Sequence, residues 1–389
     1  MDSSERINEL KSLLQKRILI IDGAMGTQIQ ARGLGPDDFG GTDYEGCNEH
    51  LNITRPDVIA EIHRDYLEAG ADILETNTFG ATALVLGEYD LSDYARRINR
   101  DGAAIARRVA DDVTTREPNR PRFVAGAMGP TTRTISVTGG LTFDELAADY
   151  HQQAAGLIEG GSDVLLLETS QDTINIKAGL EGIDRAQAEL NSNVPVAVQG
   201  TIEPMGTLLA GQDAEALYTS LAHRELLWVG FNCATGPEFM TDHLRTLQEL
   251  SRFSIACIPN AGLPDEDGNY NETPEMLAGS LQRFAENGWI NLAGGCCGTG
   301  PEHIRRIDEA MSGKSPRSAV ASLDTRVSGI EAVVVNDDTR PTVVGERTNV
   351  LGSRRFKRLI SDDRFEEAAE NDVRLVHVII AQDCLGIFS

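Results

Sequence analysis

The chain has 389 residues, 41% of them hydrophobic, enough for one large domain with something smaller attached. Its formal net charge of −25 argues against nucleic acid or an anionic membrane surface as partner, because either requires a basic face. No apolar run reaches membrane-spanning length, and residues 1–16 are polar and amphipathic rather than leader-like.

In chain order, helical spacing over 5–14 precedes a buried strand at 17–21 that ends in Asp22-Gly23-Ala24-Met25-Gly26-Thr27. Helix 56–69 leads to strand 71–76, helix 91–109 to strand 123–127, helix 143–159 to strand 163–168, and helix 173–189 to strand 194–199. Helix 213–223 then precedes strand 226–231, helix 237–250 precedes strand 254–259, and helix 274–287 precedes strand 290–293, with 301–311 as the closing helix. Eight buried strands alternating with helices over roughly 300 residues predict an α/β fold, a (β/α)8 TIM barrel, with a doubly wound open sheet as the competitor. Asp22, Glu75, Glu168, Cys233, Asn260 and the Cys296-Cys297 pair all fall at the carboxyl ends of predicted strands. In a closed barrel those ends converge on the face that carries active sites. Beyond the barrel, 1–312, residues 313–340 read as a linker and 341–389 as the start of a second domain that is cut short.

The chemistry concentrates in Gly294-Gly295-Cys296-Cys297-Gly298-Thr299-Gly300. Consecutive side chains of a strand point to opposite faces, so two adjacent thiols serve one centre only where the backbone bends sharply, which the flanking glycines permit. A third thiol, Cys233, follows the apolar run 226–229. Three thiolates with an open position describe a catalytic zinc site, and Cys233, Cys296 and Cys297 are the predicted metal ligands and catalytic residues. Such a centre suits binding a further thiol and holding it as a thiolate, hence alkyl transfer to sulfur. A redox pair or inert thiols are the alternatives, and a reducing cytoplasm is the expected compartment.

Cys47, Cys257 and Cys384 read as structural or incidental. Asp22 and Glu168 are expected to accept from a substrate ammonium, with the backbone N–H groups of Gly23 and Ala24 taking its carboxylate; capping of the next helix is the bland alternative for both acids. Glu75, Thr76 and Asn77 are weaker candidates, and Asn232 and Asn260 are expected to hold loops beside the metal. None of the seven histidines is placed like a ligand, and no glycine-rich phosphate loop is present.

Taken together, Asp22-Gly23-Ala24-Met25-Gly26-Thr27, Glu75-Thr76-Asn77-Thr78-Phe79, Gly129-Pro130-Thr131, Leu167-Glu168-Thr169, Gly230-Phe231-Asn232-Cys233 and Gly294-Gly295-Cys296-Cys297-Gly298 resemble, in order, the homocysteine S-methyltransferase domain. The resemblance implies zinc on Cys233, Cys296 and Cys297, homocysteine completing the tetrahedron through its sulfur, and its amino group on Asp22 and Glu168. Gly345-Glu346-Arg347-Thr348-Asn349-Val350, followed by Gly352-Ser353-Arg354-Arg355-Phe356, is similar to the start of the methyltetrahydrofolate (pterin-binding) barrel of the cobalamin-dependent methionine synthases. That implies methylcobalamin as methyl donor and methyltetrahydrofolate as the indirect methyl source. The cobalamin- and folate-binding modules would then lie on a missing or separate chain. Betaine or S-methylmethionine as donor, or a non-catalytic homocysteine-binding fragment, are the other readings.

Overall fold

The computed structural model describes residues 2–266, 268–320, 324–339 and 353–368. The chain divides into two compact units, Met1–Val333 and Val334–Ser389. In the second, the described residues include a helix, Arg354–Ser361, whose first turn is capped by Ser353 Oγ accepting from Phe356 N–H at 3.1 Å. The expected strand and turn at 341–349, the motif at 345–350 and Cys384 lie outside the described residues, as does the end of the helix expected at 365–371.

The first unit is the predicted (β/α)8 barrel. Strands β1 (Leu19–Ile20), β2 (Ile73–Glu75), β3 (Phe123–Met128), β4 (Val164–Ser170), β5 (Val196–Gly200), β6 (Trp228–Asn232), β7 (Ser254–Ile258) and β8 (Leu292–Ala293) form one sheet. From β2 to β8 each pairs in parallel with the next, β8 pairs with β1, and a parallel bridge between Ile21 and Ile73 closes the ring. The helices start where the sequence supplies caps: Thr142, Asp172, Asp213 and Thr273 side chains each accept a first-turn N–H, and Pro56, Pro237, Pro274 and Pro301 occupy the first helical position.

Alternation along the strands separates two cores. Leu19, Ile21, Ile73, Phe123, Ala125, Val164, Leu166, Ala197, Trp228, Ala256, Ile258 and Leu292 fill the barrel interior. Ile20, Leu74, Val124, Leu165, Leu167, Val198, Val229, Phe231 and Ile255 face the surrounding helices. The N-terminal helix Ser3–Leu13, capped reciprocally by Asp2 and Glu5, brings Leu10 to the interior cluster, where Leu14 just beyond it also packs. Two buried acids tie the amino ends of strands together. Asp72 accepts from Ile20 N–H and pairs with Arg17 and Arg120 at 2.7 and 2.8 Å. Asp163 accepts from Val124 N–H and pairs with Arg6 and Arg107 at 2.7 and 2.6 Å.

Loop and linker segments differ from expectation, and a short helix, Ala83–Leu86, forms where none was expected. Between β1 and Pro56 the sequence reading placed no helix, yet three short ones form, Met25–Ala31, Pro36–Phe39 and Leu51–Thr54. Gly33 and Gly40 take positive φ at the ends of the first two and Pro56 follows closely on the third, so each stops before a hydrophobic period can show. Much of the expected linker also belongs to the first unit, including a strand, Thr325–Ser328, whose Ser328 Oγ donates to Ala216 O at 2.7 Å. Arg317 is 3% exposed, its backbone N–H donates to Ile290 O, and its guanidinium donates to the carbonyls of Gln248, Ser251 and Phe253 at 2.7, 2.6 and 3.1 Å. Among the described residues no helix is long and apolar enough to cross a membrane.

Candidate active site

The carboxyl ends of the strands enclose a cavity of about 250 Å³. Its wall includes Gly23, Glu75, Glu168, Cys233, Cys296 and Cys297. The three thiols, drawn from the ends of β6 and β8, have their sulfurs within 4.8 Å of one another. Cys233 Sγ and Cys297 Sγ are 3.8 Å apart. Two sulfurs held tetrahedrally at about 2.3 Å from one zinc ion are separated by about 3.8 Å, so this donor set fits zinc in both chemistry and spacing.

Local backbone explains how the sulfurs meet. Cys233 and Ala234 both take left-handed conformations, φ 60° and 54°, which turn the chain sharply where β6 ends. Such angles are strained for non-glycine residues and persist only where surroundings enforce them. Here Cys233 N–H donates to Ile258 O, and Thr235 N–H donates back to Cys233 O. On the paired-cysteine loop, Cys296 N–H donates to Pro259 O, Cys297 N–H to Asn260 Oδ1 at 3.0 Å, and Thr299 Oγ1 to Cys296 O at 2.7 Å. Gly298 has φ +80°, and a Cβ there would stand 2.3 Å from Tyr270 Cβ. Asn260 therefore holds the loop by its backbone, the role expected of it.

Thiol hydrogen bonds from Cys233 and then Cys296 converge on Cys297, joined by the Tyr270 phenol, and push its pKa down to about 3. Cys296 is driven well above the usual thiol range by the hydrogen bonds it donates to Cys233 and Cys297 and by burial. Cys233 is lowered by its bond from Cys296 but raised more by the bond it gives Cys297 and by burial, to about 12. Within the trio the thiolate is thus favoured on Cys297 and disfavoured on its two neighbours.

Beside the sulfurs stand three carboxylates. Glu168 Oε2 accepts from Asn232 Nδ2 at 3.1 Å, and Asn232 also receives Thr169 N–H on its Oδ1 at 2.7 Å while donating to Thr169 Oγ1 at 2.8 Å. Thr169 is itself left-handed, φ 51°, so Asn232 fixes the turn that presents Glu168. Burial raises Glu168 well above the ordinary carboxylate range, with Glu75 and then Asp22 adding like-charge repulsion. Burial raises Glu75 to about 7, and burial followed by the Glu75 charge raises Asp22. Among the described residues no lysine or arginine lines the cavity.

The expected site residues are placed unequally. Cys233, Cys296, Cys297, Glu168, Gly23 and Ala24 line the cavity. Asp22 does not: both of its carboxylate oxygens accept the backbone N–H of Glu75, at 3.1 and 3.2 Å. Ile21 faces the interior, so the next side chain turns sideways toward β2. Ala24 N–H, expected to receive a substrate carboxylate, donates instead to Thr299 Oγ1 at 3.2 Å. Glu75, ranked as a weaker candidate, is in the wall, and strand parity could have found it, since it shares a face with the interior residue Ile73. Glu49 also lines the cavity and was missed, because its short segment carries no periodicity; its Oε1 accepts from Gly80 N–H at 2.7 Å. Of the thiols read as incidental, Cys47 and Cys257 are buried, at 1% and 0% exposure, away from the trio.

The family profile described as Homocysteine S-methyltransferase matches residues 19–311. Among solved structures, the metallated form of the homocysteine methyltransferase MmuM from Escherichia coli is 22% identical, with 79% of this chain and 99% of that chain covered and a TM-score of 0.64. The oxidised form of the same protein is 23% identical, covers 75% and 95%, and has a TM-score of 0.62. At these identities the likeness speaks for the fold.

Proposed function

Because the chain belongs to the homocysteine S-methyltransferase family, we propose that its barrel is a zinc-dependent methyltransferase domain that activates homocysteine as a thiolate and methylates it to methionine. The observation that carries this reading is the trio Cys233, Cys296 and Cys297, with sulfurs spaced for one tetrahedral ion at the mouth of the barrel. Zinc held there supplies the Lewis acidity that keeps a fourth sulfur ionised near neutral pH.

The chain's own residues then do three things. Of the three sulfurs, Cys297 is the one whose thiolate the surrounding hydrogen bonds favour. Tyr270, Asn260 and the Gly298 turn fix the loop on which Cys296 and Cys297 sit, which holds both sulfurs in the cavity wall. Glu168, oriented by Asn232, offers an acceptor to a cationic amino group. In the transfer itself a sulfur–methyl bond forms as the donor–methyl bond breaks, a displacement in which positioning of the nucleophile supplies most of the catalysis.

For the donor, the resemblance of residues 345–356 to the pterin barrel of cobalamin-dependent methionine synthases favours methylcobalamin, recharged from methyltetrahydrofolate by modules on another part of the protein or another chain. The domain division 1–312, 313–340 and 341–389 belongs to the same proposal. A reducing compartment, the cytoplasm, suits a chain whose five described cysteines are all free.

The test replaces Cys297 by Ala in the full chain. Zinc content is expected to fall from one per chain to well below one, with loss of thiol binding and of methionine formation from homocysteine and methylcobalamin. Stoichiometric zinc with full activity in the variant refutes the assignment. Betaine and S-methylmethionine, offered in parallel to the unaltered chain, decide the donor.

A further inference from the structure

The connection between β7 and the helix Pro274–Glu286 contains a hairpin, closed by an antiparallel bridge between Pro264 and Tyr270. Polar turn chemistry builds it. Asp265 accepts Asn269 N–H at 2.8 Å and Asn271 Nδ2 at 3.0 Å on its two carboxylate oxygens, while Asp265 N–H donates to Asn269 O at 2.9 Å. Among the described residues of 263–271, all are exposed except Tyr270, which is half-buried. The hairpin thus carries one large side chain inward.

Its destination is set by the anchors at either end. Ala261 N–H donates to Cys297 O at 2.9 Å, and Glu272 N–H donates back to Ala261 O at 3.0 Å. His303 Nδ1 accepts Gly300 N–H at 3.2 Å, so its Nε2 carries the proton and donates to Glu272 O at 3.2 Å. Between these anchors the tyrosine ring rests on the backbone of Gly298. A Cβ at Gly298 would stand 2.3, 2.4 and 2.8 Å from Cβ, Cγ and Cδ2 of Tyr270. From that seat the phenol makes a hydrogen bond with the Cys297 sulfur. A phenol is protonated at neutral pH and a thiolate only accepts, so the phenol is the donor.

Packing on Gly298 requires the ring but not the hydroxyl. What the hydroxyl adds follows from charge. Three thiolates on a divalent ion leave a net charge of about −1, and a substrate thiolate makes it about −2. A hydrogen bond to one ligand sulfur takes up part of that charge and weakens the donation of that sulfur, so the ion draws more from the others.

We propose that Tyr270 is a positioning residue of the metal centre, its phenol donating to the metal-bound Cys297 thiolate and thereby setting how tightly the trio holds its ion and how much charge the ion draws from a substrate thiolate. This deepens the zinc and homocysteine reading and rests on it. It also gives Gly298 a second task beyond its turn, since any side chain there would unseat the ring.

The experiment loads the full chain with Co²⁺ and records the sulfur-to-cobalt absorption band with and without homocysteine, with metal affinity read by competition against a chromophoric chelator. The unaltered chain is compared with Tyr270→Phe, Tyr270→Ala and a chain carrying 3-fluorotyrosine at position 270. A donor on a ligand sulfur lowers the energy of its lone pairs. Tyr270→Phe is therefore expected to move the band to longer wavelength and to weaken metal binding about tenfold to a hundredfold. Fluorotyrosine keeps the ring and donates more strongly, and is expected to move the band the opposite way. Should Tyr270→Phe fail to take up one cobalt per chain, the fluorotyrosine comparison carries the test. A band and an affinity unmoved in both, with the effect confined to Tyr270→Ala, reduce the residue to packing and overturn the proposal. Absence of any sulfur-to-cobalt band in the unaltered chain overturns the metal reading itself, a result distinguishable from the first.

Discussion

Glu75 is ordinary as a residue type and unusual in its setting. Its carboxyl is pushed up to about 7 by burial, from an unperturbed 4.5. An acid whose folded pKa is raised holds its proton in the native state after the unfolded chain has lost it. The stability this provides is present below about pH 4.5 and is lost as the pH climbs through about 7. The metal-free, substrate-free chain is therefore expected to melt at progressively lower temperature between pH 5 and pH 7.5. Glu75→Gln is expected to raise the melting temperature at pH 7.5 and to make little difference at pH 5. Thermal melts of both proteins across that range check it, and a variant less stable than the parent at pH 7.5 contradicts it. At the same scale, the cysteines were legible in the sequence because adjacent thiols among glycines have few other uses. Asp22 was expected to project into the mouth, and instead it bonds the Glu75 backbone outside the cavity wall, because a residue following a strand has no fixed parity once the chain leaves the sheet.

Among the elements, the ends of β4 and β6 act as one unit. The strands reach the mouth through a left-handed Thr169 and a left-handed Cys233, and Asn232 on β6 bonds the first of these turns by three hydrogen bonds. Thr169 N–H and Glu168 lose their partners together if that amide is removed. Asn232→Ala is expected to destabilise the chain by about 1–3 kcal/mol, the range for buried groups left unsatisfied. Because Asn232 reaches the substrate only through Glu168, the expected kinetic effect is a KM for homocysteine raised severalfold more than kcat is lowered. Urea denaturation and steady-state kinetics read the two effects, and a change confined to kcat would assign Asn232 another role. Sequence placed Asn232 beside the metal, which its neighbour Cys233 satisfies. Its larger task, orienting the carboxylate of another strand 64 positions away, depends on the pairing of β4, β5 and β6 and left no local mark.

At the scale of the molecule, the barrel is tied at its foot by buried ions and by a returning chain. Burial alone would raise Asp72, but hydrogen bonds and charge from Arg17 and then Arg120 outweigh it and hold the carboxyl below its ordinary range. Among the described residues the Arg317 guanidinium has no carboxylate hydrogen-bond partner and binds three carbonyls instead, which leaves its pKa lowered by burial to about 10. Removing it takes one donor from each of the carbonyls of Gln248, Ser251 and Phe253, of which Ser251 keeps Val320 N–H and Phe253 keeps the Ser251 hydroxyl. Arg317→Ala is expected to cost about 3 kcal/mol, judged from hydrogen bonds to a charged donor. A barrel ending at residue 320 is expected to melt well above one ending at 312, and equal melting of the two would place Arg317 outside the folding unit.

The repeat of buried strand and helical stretch, the caps that start the helices and the position of each polar residue at a strand end are local properties, written in short windows of sequence. They determined eight β/α units and one chemically active rim. Closure of β1 onto β2, the inward or sideways turn of each terminal side chain, and the choice of Glu75 over Asp22 as the acid in the wall were decided by the tertiary structure. Each depends on partners tens to hundreds of positions away, Asp22 with Glu75, Ala24 with Thr299, Cys233 with Cys297. Such contacts exist only once a ring has formed, and no hydrophobic period encodes them.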